Sequence, residues 1–234
     1  MADLFDYFFF GVYPYIALVV LAIGSIIRYD REPYTWRSGS SQLLRRRQLI
    51  WGSVLFHVGV LIVFFGHLFG LLVPLALYEW IGVTHGAKQL LAMILGGVAG
   101  VFAFIGASML LHRRLFDARI RTTSGQGDIL ILALLWLQLA LGIATLPISA
   151  QHLDGSEMVK FMIWAQGIFA FRPQAWEVVV DASPIFKAHL VLGTTILLLV
   201  PFTRLVHILS APVRYLWRSG YQIVRSKKSA KASA

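Results

Sequence analysis

The chain has 234 residues, 58% hydrophobic and only 14% charged, with a formal net charge of +10 and no cysteine. A soluble domain carries about a quarter charged residues, so an ordinary water-soluble globule is excluded. The missing thiols exclude disulfides, thiolate-bound zinc, cysteine-ligated iron–sulfur clusters and covalent haem attachment through Cys-x-x-Cys-His. The positive charge calls for no nucleic acid, because basic residues in a membrane chain set its orientation.

A helix that crosses the hydrocarbon core needs about 20 apolar residues. Phe8–Ile27 is the first such run. Ile50–Leu72 is the second, inside a stretch between Arg47 and Glu79 that holds no Asp, Glu, Lys or Arg. Gln89–Leu111 is the third and Ile129–Ala150 the fourth. The fifth, from about Ser183 to Leu209, spans if Lys187 and Arg204 snorkel to opposite interfaces. Phe161–Phe171 is apolar but short, and reads as an amphipathic helix on the membrane surface, within a connection long enough to be functional. The expected fold is an all-α integral membrane protein: five transmembrane helices bundled over residues 1–225, then a basic, disordered tail at 226–234. Trp36, Trp51, Trp80, Trp164 and Trp217 suit an aromatic belt. Gly96 and Gly100 form a small-xxx-small pattern that suits helix packing.

Seventeen of the 21 Lys and Arg residues fall in the connections 28–47 and 113–121 or from Arg204 onward; the others are Lys88, Lys160, Arg172 and Lys187. The positive-inside rule places the first set in the cytoplasm. The N-terminus, with Asp3 and Asp6, then lies outside and the C-terminus inside. The first segment lacks a basic n-region and a small-residue cleavage site, unlike a removable signal peptide.

Of seven histidines, His85, His112 and His152 fall at helix ends or in connections, where interfacial polar roles suffice. His57 and His67 lie inside the second span, and His189 and His207 inside the fifth. An ionisable residue within a span is costly and points to function. The two spans run in opposite directions, so His57 and His207 both lie toward the cytoplasm, and His67 and His189 both lie toward the outside. Eighteen residues complete five helical turns, so His189 and His207 share a face if the fifth helix is continuous. Imidazole pairs from facing helices, with no thiolate or carboxylate nearby, suit axial ligation of b-type haem. His57 and His67 are separated by about 15 Å of helical rise, too far for one metal, whereas His189 and His207 are separated by about 27 Å. Two stacked haems fit, provided a kink at Pro201 and helix tilt absorb the difference. Gly59, Gly66, Gly70 and Gly193 offer room for a flat macrocycle or for close helix packing. Arg113 and Arg114 end the third span at the depth of the inner pair, where they suit haem propionates or anchor the helix. Interhelical hydrogen bonding is the plain alternative for the four His.

A resemblance is carried by Phe9-Phe10-Gly11-Val12-Tyr13-Pro14-Tyr15-Ile16, Arg28-Tyr29-Asp30 and Tyr34-Thr35-Trp36-Arg37. Further segments are Ser53-Val54-Leu55-Phe56-His57-Val58-Gly59, Gly66-His67-Leu68-Phe69-Gly70 and Arg113-Arg114-Leu115-Phe116. It continues through Ala150-Gln151-His152-Leu153-Asp154-Gly155-Ser156-Glu157-Met158, His189-Leu190-Val191-Leu192-Gly193 and Arg204-Leu205-Val206-His207-Ile208. On these residues the chain resembles the gamma subunit of membrane-bound respiratory nitrate reductase, a dihaem cytochrome b, over nearly its whole length. The resemblance implies an outer haem on His67 and His189 and an inner haem on His57 and His207. It implies quinol oxidation (menaquinol or ubiquinol) near the outer haem, with Lys88 matching a quinol-binding lysine. It also implies a cytoplasmic iron–sulfur subunit, a molybdenum-cofactor subunit that reduces nitrate, and residence in a bacterial or archaeal cytoplasmic membrane. A dihaem cytochrome b of a hydrogenase, formate dehydrogenase or heterodisulfide-reductase-like complex shares this physics. A transporter or a haem-free anchor is the alternative of another class.

Overall fold

A computed structural model describes residues 2–32, 34, 44 and 46–210. The expected tail and its boundary at residue 225, Trp36, Trp217 and most of the basic connection 28–47 lie outside the described residues.

The described chain is helical. In order it forms α1 (Ala2–Asp6), a π-helical stretch (Tyr7–Val12), α2 (Tyr13–Arg31), α3 (Arg46–Leu72), α4 (Leu75–Trp80), α5 (His85–Phe116) and α6 (Ala118–Thr122). Then come α7 (Gln126–Ser149), α8 (Ser156–Phe169), a 3-10 turn (Ala175–Val179) and α9 (Pro184–Leu199). Two more 3-10 segments, Val200–Phe202 and Arg204–Ser210, follow. Five helices are long and apolar enough to cross a membrane: Leu4–Arg31, Arg46–Leu72, His85–Phe116, Gln126–Ser149 and Pro184–Phe202. They correspond to the five expected segments, most of them a turn or more longer, because their charged ends continue the helices past the apolar runs.

Packed seams run from α3 to α5, α5 to α7, α7 to α9 and α9 to α2. No comparable seam joins α3 to α9. Among lipid tails, helices associate through close van der Waals contact, which small residues permit. The α3–α5 seam follows that rule. A Cβ on Gly59 would sit 2.5 Å from the Ala99 carbonyl oxygen, and one on Gly106 would sit 2.7 Å from the Gly52 carbonyl oxygen. Phe56, Ala103, Ala107 and Leu139 fill the core beside them. Gly59 therefore serves packing rather than macrocycle space. A Cβ on Gly96 would meet nothing within 4 Å, whereas Gly100 is buried and a Cβ there would lie 3.8 Å from Ile143 of α7, so of the expected pair only Gly100 lies against a neighbouring helix.

Three expectations about the fold are corrected. First, the fifth helix does not continue to Leu209. Pro201 has no N–H, and its ring crowds the preceding turn, so α9 stops at Leu199 and the chain passes through an extended Thr203 (φ −124°, ψ −179°). Second, the short helix at 161–171 is longer, and it is buried on one side. Phe161, Trp164, Ala165 and Ile168 of α8 form a core with Phe10, Val179 and Phe186. Trp164 is not a belt residue: its indole donates 2.9 Å to the carbonyl of Phe10, inside the π-helical stretch. Third, Lys187 and Arg204 are not lone cations at the ends of the span but are paired with acids. Lys187 donates to both carboxylate oxygens of Asp6 at 3.0 and 2.8 Å, and Arg204 makes a two-pronged contact with Asp128 at 2.7 Å on each oxygen.

Candidate functional site

A long side chain on a helix leans back toward the preceding turn. His57 and His67 do so on α3: Nδ1 of His57 lies 2.8 Å from the Ser53 carbonyl, and Nδ1 of His67 lies 2.8 Å from the Val63 carbonyl. A carbonyl only accepts, so each Nδ1 carries the proton and each Nε2 keeps a free lone pair. Nδ1 of His207 meets the Arg204 carbonyl in the same way. This is the arrangement by which proteins fix the tautomer of a metal-binding imidazole.

His189 is held differently. Gln138 on α7 donates 3.1 Å to its backbone carbonyl, and the same amide nitrogen stands 3.4 Å from Nε2. Its Nδ1 is buried without a hydrogen-bond partner, as is Oε1 of Gln138. Gly142 and Gly193 make room for this pair: a Cβ on Gly142 would lie 3.1 Å from Cε1 of His189, and one on Gly193 would lie 3.1 Å from Nε2 of Gln138. Gly193 thus accommodates Gln138 rather than a macrocycle.

The His67 and His189 rings face across the unpacked interval between α3 and α9 with centroids 6.1 Å apart and planes 44° apart. Two imidazoles on opposite sides of one metal, each bonded at about 2 Å, have centroids about 6 Å apart. A Cβ on Gly66 or Gly70 would meet nothing within 4 Å, so the α3 backbone beside His67 borders open space. The donor set, the free Nε2 of His67, the orphaned nitrogen of His189 and the unpacked interval fit a bis-imidazole haem. Among the described residues, no group of three or more His, Asp or Glu could hold a bare metal ion, and no ring contact joins His57 to His207.

Lys88 lies in the first turn of α5, behind the Thr84 cap, whose hydroxyl accepts from the Ala87 N–H. It is buried, 6% exposed. Its ammonium donates 2.9 Å to the Gly70 carbonyl and 2.9 Å to Met162 Sδ, and it lies 3.6 Å from the Tyr78 ring centroid. Beside it, His85 meets Glu79 at 3.2 Å. Burial raises the Tyr78 phenol above its ordinary pKa of 10.0. At the other end of α5, Arg113 is 2% exposed and donates 2.6 Å to the Leu44 carbonyl. Arg114 donates to the Ser124 hydroxyl at 3.3 Å and stands 3.8 Å from Asp128. Neither arginine guards an open surface, as a simple helix anchor would.

Sequence reasoning missed Gln138, Tyr78, Met162 and Asp128. Asp128, an acid at the start of an apolar run, was the available signal; the other three depend on which helices meet.

The family model for "Nitrate reductase gamma subunit" matches residues 6–227. The chain belongs to the nitrate reductase gamma subunit family. It is similar to the respiratory nitrate reductase 2 gamma chain of Escherichia coli (strain K12), 50% identical over 97% of this chain and 100% of that one. It is similar to the respiratory nitrate reductase 1 gamma chain of the same organism, 51% identical over 94% of this chain and 97% of that one. The nitrate reductase gamma chain of Bacillus subtilis (strain 168) is 40% identical over 93% of this chain and 96% of its own length.

Proposed function

We propose that this chain is the quinol-oxidising membrane subunit of a respiratory nitrate reductase in a bacterial or archaeal cytoplasmic membrane. The observation that carries the reading is the His67–His189 pair, with rings 6.1 Å apart between two helices that make no seam with each other. His67 and His189 hold one b-type haem, and His57 and His207 hold a second. When bound, the two haems supply one-electron carriers between a two-electron donor and a partner protein.

The N-terminus, His67, His189 and Lys88 face the outside; His57, His207 and the arginine-rich connections face the cytoplasm. Lys88 binds and orients a quinol oxygen. Of its present partners, the Met162 thioether is a weak acceptor, so a quinol oxygen displaces it readily. The ammonium stabilises negative charge on that oxygen as its proton leaves, and the proton is released to the outer side. Arg113 and Arg114 each carry five N–H donors and share them between their protein partners and the propionates of the inner haem. With no cysteine in the chain, an iron–sulfur cluster able to accept the electrons belongs to another polypeptide. A cytoplasmic iron–sulfur subunit and a molybdenum-cofactor subunit complete the assembly, in which nitrate is reduced.

The test is haem quantification by pyridine haemochrome on the purified complex, with dithionite-reduced spectra of the wild type and of each His→Ala variant. Two haems per chain are expected, with one lost from His67→Ala and one from His189→Ala. A colourless wild-type complex from haem-replete cells would reject the reading.

A further inference from the structure

The break in the fifth span leaves His207 on a 3-10 segment (Arg204–Ser210) rather than on the helix that carries His189. An interrupted backbone within a membrane bundle must have its freed carbonyls satisfied by protein groups, and a ligand on such a segment takes its aim from whatever holds the segment. Two side chains from other spans do so. Arg28, near the end of α2, donates through one guanidinium nitrogen to the Pro201 carbonyl at 2.7 Å and the Thr203 carbonyl at 2.8 Å. Gly24, one turn earlier, lets Pro201 approach: a Cβ there would lie 2.9 Å from its ring. Asp128, in the first turn of α7, receives the Arg204 guanidinium on both oxygens at 2.7 Å. The backbone carbonyl of that same Arg204 accepts from Nδ1 of His207.

We infer that Arg28 and Asp128 are positioning residues for His207, clamping the broken end of the fifth span from two sides and so fixing the orientation and basicity of that imidazole. This rests on the reading of His207 as a haem ligand. The geometry separates two duties. Arg28 fixes where the segment departs from α9. Asp128 fixes the rotation of Arg204 and, through its carbonyl, the plane of the His207 ring. The fork contact is geometrically demanding, and Asp128 gains further from the N-terminal end of the α7 dipole. A partner outside the ligand shell that orients a metal-bound imidazole also tunes its donor strength, so a haem held by His207 would carry the imprint of both residues.

The experiment is a redox titration and low-temperature EPR of the whole complex, following the two b-type signals separately. The variants are Asp128→Asn, Asp128→Glu, Arg28→Met and Arg28→Lys, with His207→Ala as reference. His207→Ala is expected to lose one haem and so identify its signal. Asp128→Asn and Arg28→Met are expected to keep the other signal unmoved while shifting the midpoint and g-anisotropy of the His207 signal. Asp128→Glu and Arg28→Lys are expected to move it less. If Asp128→Asn does not accumulate, the Asp128→Glu and Arg28 variants carry the same comparison. Unmoved signals in the variants that assemble, or equal movement of both, would overturn the clamp while leaving His207 a ligand. Two haems retained in His207→Ala would instead overturn the ligand assignment on which the clamp rests.

Discussion

Asp6 and Lys187 meet at 2.8 Å with the carboxylate side chain only 5% exposed, fastening the start of the first span to the first turn of the helix that bears His189. Removing one partner of a buried pair leaves an uncompensated charge and costs about 3–5 kcal/mol. Asp6→Ala is therefore expected to lower the thermal midpoint of the detergent-solubilised chain. Pairing it with Lys187→Met is expected to recover much of the loss, and a double-mutant cycle measures the coupling.

The glycines of α3 divide into two kinds, and substitution separates them. Gly59 abuts α5 with no room for a methyl group, whereas Gly66 borders open space. Gly59→Val is expected to destabilise the bundle by at least the ~1–3 kcal/mol of overpacking, reducing the amount of intact protein in the membrane. Gly66→Phe is expected to leave that amount unchanged and reduce haem occupancy beside His67, read from absorbance per milligram of protein.

Lys88→Ala is expected to slow quinol-driven haem reduction at least tenfold with both haems in place, because it removes the charge that stabilises the developing quinol anion. Met162→Leu, which removes only a weak acceptor, is expected to leave the rate within a few-fold of wild type. Stopped-flow reduction by a soluble quinol analogue makes both comparisons. Unchanged kinetics in Lys88→Ala would remove it from the quinol site.

Burial raises the Tyr78 pKa above 10.0, so the phenol stays protonated across the neutral range. A raised folded-state pKa contributes stability that is complete below the unfolded value and is lost as pH rises through the folded one. Tyr78→Phe is therefore expected to leave the shape of the quinol-oxidation pH profile between about pH 6 and 9 unchanged, to lower stability at neutral pH by the hydrogen bond that the phenol donates to the Phe69 carbonyl at 3.0 Å, about 0.5–1.5 kcal/mol, and to abolish the further loss at alkaline pH. Parallel pH–rate and pH-melt series check the two halves.

The spans were legible because lipid imposes one simple demand: a long run without charge reads as a crossing helix whatever it packs against. The break at Pro201 was visible as a residue type but not in its consequence. Counting turns from His189 to His207 assumed a helix that proline ends. The α4 turn and the buried side of α8 escaped notice, because short helices at the rim of a bundle are defined by their neighbours rather than by their own periodicity. Lys187 and Arg204 read as solvent-seeking cations. Their acid partners lie 181 and 76 residues away in the chain, a separation that no local pattern spans. His67 and His189 came together as depth matching suggested, but Gln138 beside them carried no sign of its place.

The gap left between α3 and α9 has a bearing on assembly. A bundle whose seams run α3 to α5 to α7 to α9 to α2 leaves the interval between α3 and α9 without a direct seam, covered at one end where α8 packs with Leu71, Leu72, Leu190 and Val191. A haem bound there, as proposed, would sit between segments that already pack against their other neighbours. Its arrival would then supply the wall that the helices themselves do not build.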